Sequence, residues 1–188
     1  MCSNHARCTK QQDSRKWVFL LYYEHMLDAF SFDYFGSTIT AQSLGNKYAP
    51  PIGETLTAHC VPVTEDGKIV AVDVVNRGVD IPGGHIEDGE AAVTAMSRET
   101  YEEASITLGE STLIDVWKAS SDNELIGLST KPYLLVYVAR VKSVDEFVPN
   151  QEVRARLFLA PDEFVLQYFG DKKQAEAMVG RAMAALEI

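Results

Sequence analysis

Cysteine is scarce in this chain of 188 residues, with only Cys2, Cys8 and Cys60 and no CxxC pair. An odd and scattered set gives neither a disulfide framework nor a thiolate zinc site. Histidine is as sparse: His5, His25, His59 and His85 show no ligand spacing. His59, beside Cys60 in an apolar run, reads as a core or edge residue. Basic residues are the minority, 17 against 27 acidic ones, for a formal net charge of −10 and a pI of about 4.8. A non-specific nucleic-acid binder needs a basic face, so no nucleic-acid polymer is expected as a partner. A nucleotide substrate is not excluded, because bound cations reverse the local field. Long hydrophobic runs are missing too. The apolar stretch 17–23 is far too short to span a bilayer, Glu24-His25 interrupts it, and no clear small-x-small cleavage site follows. No membrane partner is expected, and a cytoplasmic location is the default.

What remains is the composition of a globular domain with one extra segment. Residues 1–25 read as an N-terminal extension, partly disordered or helical, with an amphipathic segment over 15–30; Met26 is an alternative natural start. Residues 26–188 form the folded domain. No internal repeat is present. Residues 31–43 suit an edge strand, and Ala49-Pro50-Pro51 marks a connection. Residues 56–63 and 68–75, joined by the turn Glu65-Asp66-Gly67, predict a hairpin. Residues 79–81 are extended and lead into the loop Pro82-Gly83-Gly84. A helix is predicted from about Gly89 to Ala104, capped by Asp88, with Ala92, Val93, Met96 and Thr100 as its buried face. Strands are predicted at 113–118, at 133–141, and at 156–159 before Pro161. The second is nearly continuous in apolar residues and therefore central. Helices over 162–168 and 172–186 complete an α/β pattern, a mixed sheet between helical layers.

The most informative stretch is 84–106, GHIEDGEAAVTAMSRETYEEASI. Glu99, Glu102 and Glu103 stand at i, i+3 and i+4, one face of a single helical turn. Like charges so placed repel unless a cation sits among them. Carboxylates are hard donors suited to Mg²⁺, with Mn²⁺ as the alternative. Such an ion neutralises phosphate oxygens and lowers the pKa of bound water. Gly83 and Gly84 let main chain approach a metal or a diphosphate with no side chain between. Arg98, adjoining Glu99, is suited to brace a glutamate by a forked pair.

Gly84, Glu90, Arg98, Glu99, Glu102, Glu103 and Ile106 stand in the register of a Nudix box, and on these residues the chain resembles the Nudix hydrolases. Thr100 departs from the pattern where an aliphatic residue is usual, and Ser105 replaces its last glycine. A serine keeping the glycine's left-handed angles costs about 1 kcal/mol. The resemblance implies an α/β/α sandwich for residues 26–188. It implies Glu99, Glu102 and Glu103 as metal ligands, with Glu99 as base for the attacking water in some members. By the same likeness Arg98 orients the cluster and Glu90 stabilises the loop–helix junction. Many members recruit a further carboxylate from a later loop; Glu152 is the first candidate, with Glu146 and Asp145 as competitors. A homodimer, supported by the apolar stretch 17–35, is among the expectations.

The resemblance implies a Mg²⁺-dependent hydrolase that cleaves the diphosphate linkage of a nucleoside diphosphate derivative or nucleoside triphosphate by water attack at phosphorus. The rival readings are a non-catalytic module binding a nucleotide or protein partner, and an enzyme like isopentenyl diphosphate isomerase. The latter needs a catalytic cysteine, and the HCVPV context of Cys60 does not resemble that motif. Substrate choice falls to residues 31–55, 119–131 and 142–153, where Tyr34 and Tyr48, with Trp117 and Tyr133 alongside, are candidates for stacking on a base or sugar.

Overall fold

The computed structural model describes residues 29–34 and 36–188. The proposed 1–25 extension, the start at Met26 and most of the 17–35 stretch lie outside the described residues. Within them the strands are β1 (Phe30–Tyr34), β2 (Ser37–Ser43), β3 (Thr55–Val63), β4 (Ile69–Val74), β5 (Gly78–Asp80), β6 (Gly83–His85), β7 (Ile106–Ser121), β8 (Tyr133–Val144) and β9 (Val153–Leu159). The α-helices are α1 (Ala92–Ala104), α2 (Pro161–Gln167) and α3 (Lys172–Ala185).

The main sheet runs β1-β2-β7-β8-β3-β4-β5, with β6 added beside β3 and β9 beside β4. β3 and β8 are parallel and the other pairs antiparallel, so the sheet is mixed. Alternation along β8 divides the core. Leu134, Val136 and Val138 join Phe164 of α2 and Ala175, Met178 and Ala182 of α3. Tyr133, Leu135, Tyr137 and Ala139 pack with Met96 of α1 on the opposite face. The same split runs through β4, whose Ile69 and Ala71 face the first cluster while Val70, Val72 and Val74 meet Ala104 of α1. Helices thus cover both faces, which is the expected α/β/α sandwich.

Several expected boundaries shift. The segment 31–43 is a hairpin, with β1 alone at the edge. Residues 113–118 are the middle of a strand from Ile106 to Ser121, whose pairing with β8 carries three register shifts. Such bulges break the period-two pattern that sequence reading relies on. Helix α1 begins later than predicted, because Gly89 sits at φ +81 and so turns the chain outside helical space. Asp88 is therefore no cap: its side chain is exposed and lies 3.9 Å from Lys131. The turn is closed instead by Glu90, whose Oε2 accepts from the Glu87 N–H at 3.1 Å. The buried face of α1 is Ala95, Met96, Thr100 and Ala104, with Val93 exposed.

The expected hairpin 56–63/68–75 forms only at its closed end, where Val63 faces Ile69. Beyond that pair the two strands splay. The outer edge of β3 is taken by β6, with Thr57 opposite His85 and His59 opposite Gly83, while β4 pairs with β5. The connection 80–83 bridges the opening and brings the Gly83–Gly84 loop to its mouth.

Both departures from the box pattern cost stability here. Ser105 ends α1 in the left-handed region, φ 50 and ψ 46, its N–H bonded to the Tyr101 carbonyl. Arg156 completes this end, with Nη1 donating to the carbonyls of Ala104, Ser105 and Asp145 at 2.8, 3.1 and 3.0 Å. Thr100 is fully buried and its Oγ1 has no hydrogen-bond partner. Ser105→Gly is expected to stabilise the fold by about 1 kcal/mol by removing Cβ strain. Thr100→Val is expected to add about 1 kcal/mol by removing a buried orphan hydroxyl at nearly constant shape. Denaturant midpoints of the two variants and their parent measure both effects; unchanged or lowered midpoints would contradict the account.

Candidate active site

The site is built where α1 meets the Gly83–Gly84 loop. Glu103 lies one turn beyond Glu99, and its Oε2 accepts from the Gly83 N–H at 2.9 Å. Glu99 packs against Gly84 so closely that a Cβ there would fall 2.5 Å from its carboxyl carbon. Gly83 is confined from the other side: at φ +150, a Cβ would fall 2.5 Å from the His59 Cα and 2.6 Å from the Ala58 carbonyl oxygen. The loop is a bare ribbon of main chain between two glutamates and a strand.

Arg98 is wholly engaged by the box. Its Nε and Nη2 fork onto Glu90 at 3.1 and 3.0 Å. Nη1 reaches Glu99 at 2.9 Å and Glu102 at 3.3 Å, and Nη2 also donates to the His85 carbonyl at 3.1 Å. One side chain so ties the loop, the helix start and two of the three glutamates together. The pairing with Arg98 holds the Glu90 carboxyl below its ordinary range. Glu103 is shifted the other way, its pKa pushed up to about 7, first by burial, with the charges of Asp80 and Glu99 adding to it.

The three glutamates are not drawn to one point. Glu99 and Glu103 meet the loop, whereas Glu102 is more exposed and leans back to Arg98. Among the described residues no three carboxylate, imidazole or thiol groups converge as a metal site. The donor set nonetheless suits a hard divalent ion. Three carboxylates occupy one turn, two of them beside a loop with no side chains, and burial disfavours the charged form of Glu103 despite the opposing pull of the Gly83 N–H and Arg77. The later carboxylates lie apart from these contacts. The Glu152 side chain is exposed, and its carbonyl accepts from the Val75 N–H at 2.8 Å. Asp145 accepts from the Tyr101 hydroxyl at 3.1 Å, and Glu146 is exposed.

Behind the loop, between the Gly83–Gly84 segment and residues of β1, β3 and β7, lies a cavity of about 120 Å³. Its walls include Gly83, Gly84 and His85, and the rings of Phe32, Tyr34 and Trp117. Two of the four stacking candidates therefore reach it. Tyr48 and Tyr133 instead bond to each other, hydroxyl to hydroxyl at 2.8 Å. His59 also lines the cavity and bonds Thr57 at 3.0 Å; desolvation, then the charges of Arg77 and His85, push its pKa down to about 3, so it is neutral. Arg77 and Asp80, which sequence reasoning passed over, lie in the same wall and pair at 3.2 Å. The sequence carries little signal for them, because an i, i+3 charge pair flanked by Asn76 and Gly78 reads as a solvated turn. Asp80 has its carboxyl pushed up to about 6 by burial, against the opposing pull of Arg77 and the Ile81 N–H.

The two glycines predict different failures. In Gly84→Ala the added methyl meets only the movable end of Glu99, so the fold is expected to persist while Mg²⁺ affinity falls about tenfold or more, an effect on the scale of an outer-shell change. In Gly83→Ala it meets main chain at a strained φ, and a loss of about 2 kcal/mol or more in stability is expected. Thermal melting beside metal titration separates the outcomes; equal melting temperatures for the two variants would contradict this reading of the loop.

The family model described as NUDIX domain matches residues 53–179. Among solved structures, a variant of the pyrophosphohydrolase of Bacillus subtilis superposes with a TM-score of 0.59 at 15% identity, over 85% of this chain and 95% of that one. A UDP-X diphosphatase gives 0.54 at 21% identity, over 74% of this chain and 64% of its own. An Ap4A hydrolase of C. elegans gives 0.52 at 17% identity, over 70% and 98%. At these identities the likenesses speak for the fold. No curated protein sequence is similar enough to this chain to match it. The match of the family model over most of the chain, on the fold and box just described, places this protein in the NUDIX domain family.

Proposed function

We propose that this chain, a Nudix-family pyrophosphohydrolase, hydrolyses the diphosphate linkage of a nucleoside diphosphate derivative or nucleoside triphosphate with the help of Mg²⁺, Mn²⁺ being the alternative. The observation that carries the reading is the placement of Glu99 and Glu103 on the Gly83–Gly84 loop at the edge of a cavity. Glu99, Glu103 and, after leaving Arg98, Glu102 would hold the ion, which supplies charge neutralisation at the phosphate oxygens and a lowered pKa for bound water. Glu99 takes the proton of the attacking water as the P–O–P bridge opens. Arg98 keeps Glu99 in position through Nη1 and anchors the helix start through Glu90. The bare main chain of Gly83 and Gly84 lets Glu99 and Glu103 sit against the loop, where the diphosphate would meet the ion. Phosphoryl transfer demands chiefly placement and charge compensation, and these residues supply both.

The named activities of the structural neighbours, pyrophosphohydrolase, diphosphatase and Ap4A hydrolase, fit this class of reaction. The isomerase reading loses its nucleophile: Cys60 is wholly buried, and desolvation pushes its thiol far above the ordinary range. A degenerate box would favour the non-catalytic module, whereas here Glu99, Glu102, Glu103 and Arg98 are all present. Cytoplasmic residence is part of the proposal; no described helix is long and apolar enough to cross a membrane.

Glu99→Gln and Glu103→Gln are each expected to lower turnover about a hundredfold or more while the melting curve stays as in the parent. Chelation of the metal should abolish turnover and added Mg²⁺ restore it. A phosphate-release screen over ADP-ribose, dinucleotides, nucleotide sugars and canonical and oxidised nucleoside triphosphates identifies the substrate. Parent-like rates in both glutamate variants would refute the assignment.

A further inference from the structure

A diphosphate brings negative charge to a site already crowded with carboxylates, and Arg98 cannot meet it: all three of its nitrogens are bound to glutamates or to the His85 carbonyl. Among the described residues lining the cavity, Arg77 is the one lysine or arginine. Its guanidinium carbon lies 5.7 Å over the ring of Tyr34 and 5.4 Å over that of Phe169. Its Nη2 is tethered to Asp80 at 3.2 Å, and its Nε is buried with no hydrogen-bond partner. With aromatic contacts beside it and one edge held, the group is fixed in orientation and keeps donors in hand.

A turn-closing pair alone does not account for this. Asp80 gives its other oxygen to the Ile81 N–H at 2.8 Å, so it satisfies only part of the guanidinium. Leaving a buried donor unmade is costly, and an ordinary solvated turn would not incur that cost. A pre-oriented guanidinium with a free edge beside a diphosphate site is matched to phosphate oxygens.

We propose that Arg77 binds a phosphate group of the substrate, while the uncharged planar part of the substrate occupies the adjoining apolar cavity. The inference rests on the diphosphate-hydrolase reading above and assigns to that site the residue that receives the substrate's charge.

The test uses the full chain with Mg²⁺, titrated calorimetrically with α,β-methylene-ADP and, as an uncharged control, adenosine. Arg77→Gln alone leaves Asp80 unpaired in the interior, so the decisive variant is R77Q combined with D80N, which removes both charges at similar shape. Its melting temperature shows whether it is folded. The folded double variant is expected to bind the analogue at least tenfold more weakly, with adenosine binding unchanged and KM raised at least tenfold for the substrate the screen identifies. R77K, which keeps the charge and loses the fork, should fall between. Parent-like affinity and KM in the folded double variant overturn the assignment, as does parent chain that turns over substrate but does not bind the analogue. If the double variant does not fold, R77K decides, and parent-like affinity and KM in it overturn the assignment. Parent chain that hydrolyses nothing in the screen overturns the hydrolase reading itself, a separable result.

Discussion

Carboxylates on a helix can lie against a neighbouring loop only when that loop presents bare main chain. Here the constraint operates from both sides: Glu99 occupies the space of a Gly84 side chain, and the backbone of His59 and Ala58 occupies that of Gly83. The remainder of the site follows from this squeeze. The Gly83 N–H is free to bond Glu103, the loop can run beside β3 as a short strand, and Arg98 reaches across to the His85 carbonyl. A methyl group at Gly84 would push helix from loop, and one at Gly83 would push loop from β3.

The squeeze in turn needs the opened β3–β4 hairpin. A regular hairpin would pair these strands along their length and leave no edge for residues 78–85. Because they part after Val63 and Ile69, the returning chain adds β5 to one strand and β6 to the other, and its residues Asp80, Ile81, Gly83, Gly84 and His85 form one wall of the cavity. The position of the glycine loop and of one cavity wall thus follows from one topological choice. Helices cover both faces of this sheet: Met96 of α1 packs on one side, while Phe164 of α2 and Met178 of α3 pack on the other.

Electrostatics gives the site its character. Burial and neighbouring negative charge push Glu103 toward its neutral form, whereas Arg98 steadies Glu90 in the charged form. A position where a carboxylate is unfavourable as it stands is one where a divalent cation is welcome.

How much of this was legible in the chain depends on the range of the interaction. The i, i+3, i+4 spacing of the glutamates, the glycine pair and the left-handed end at Ser105 are local matters, and sequence reading located them. Val93 and Asp88 were misplaced because Gly89 takes a positive φ and delays the helix. Arg77 and Asp80 were missed because a charged pair in a turn reads as solvated until Tyr34 and Phe169, from distant parts of the chain, are seen around it. The sequence by itself determined the family pattern and the charges available to it, since both reside in one continuous segment. Which of those charges are buried, which are already paired, and where a cavity opens were decided only by the tertiary structure, because burial and pairing arise between residues far apart in the chain.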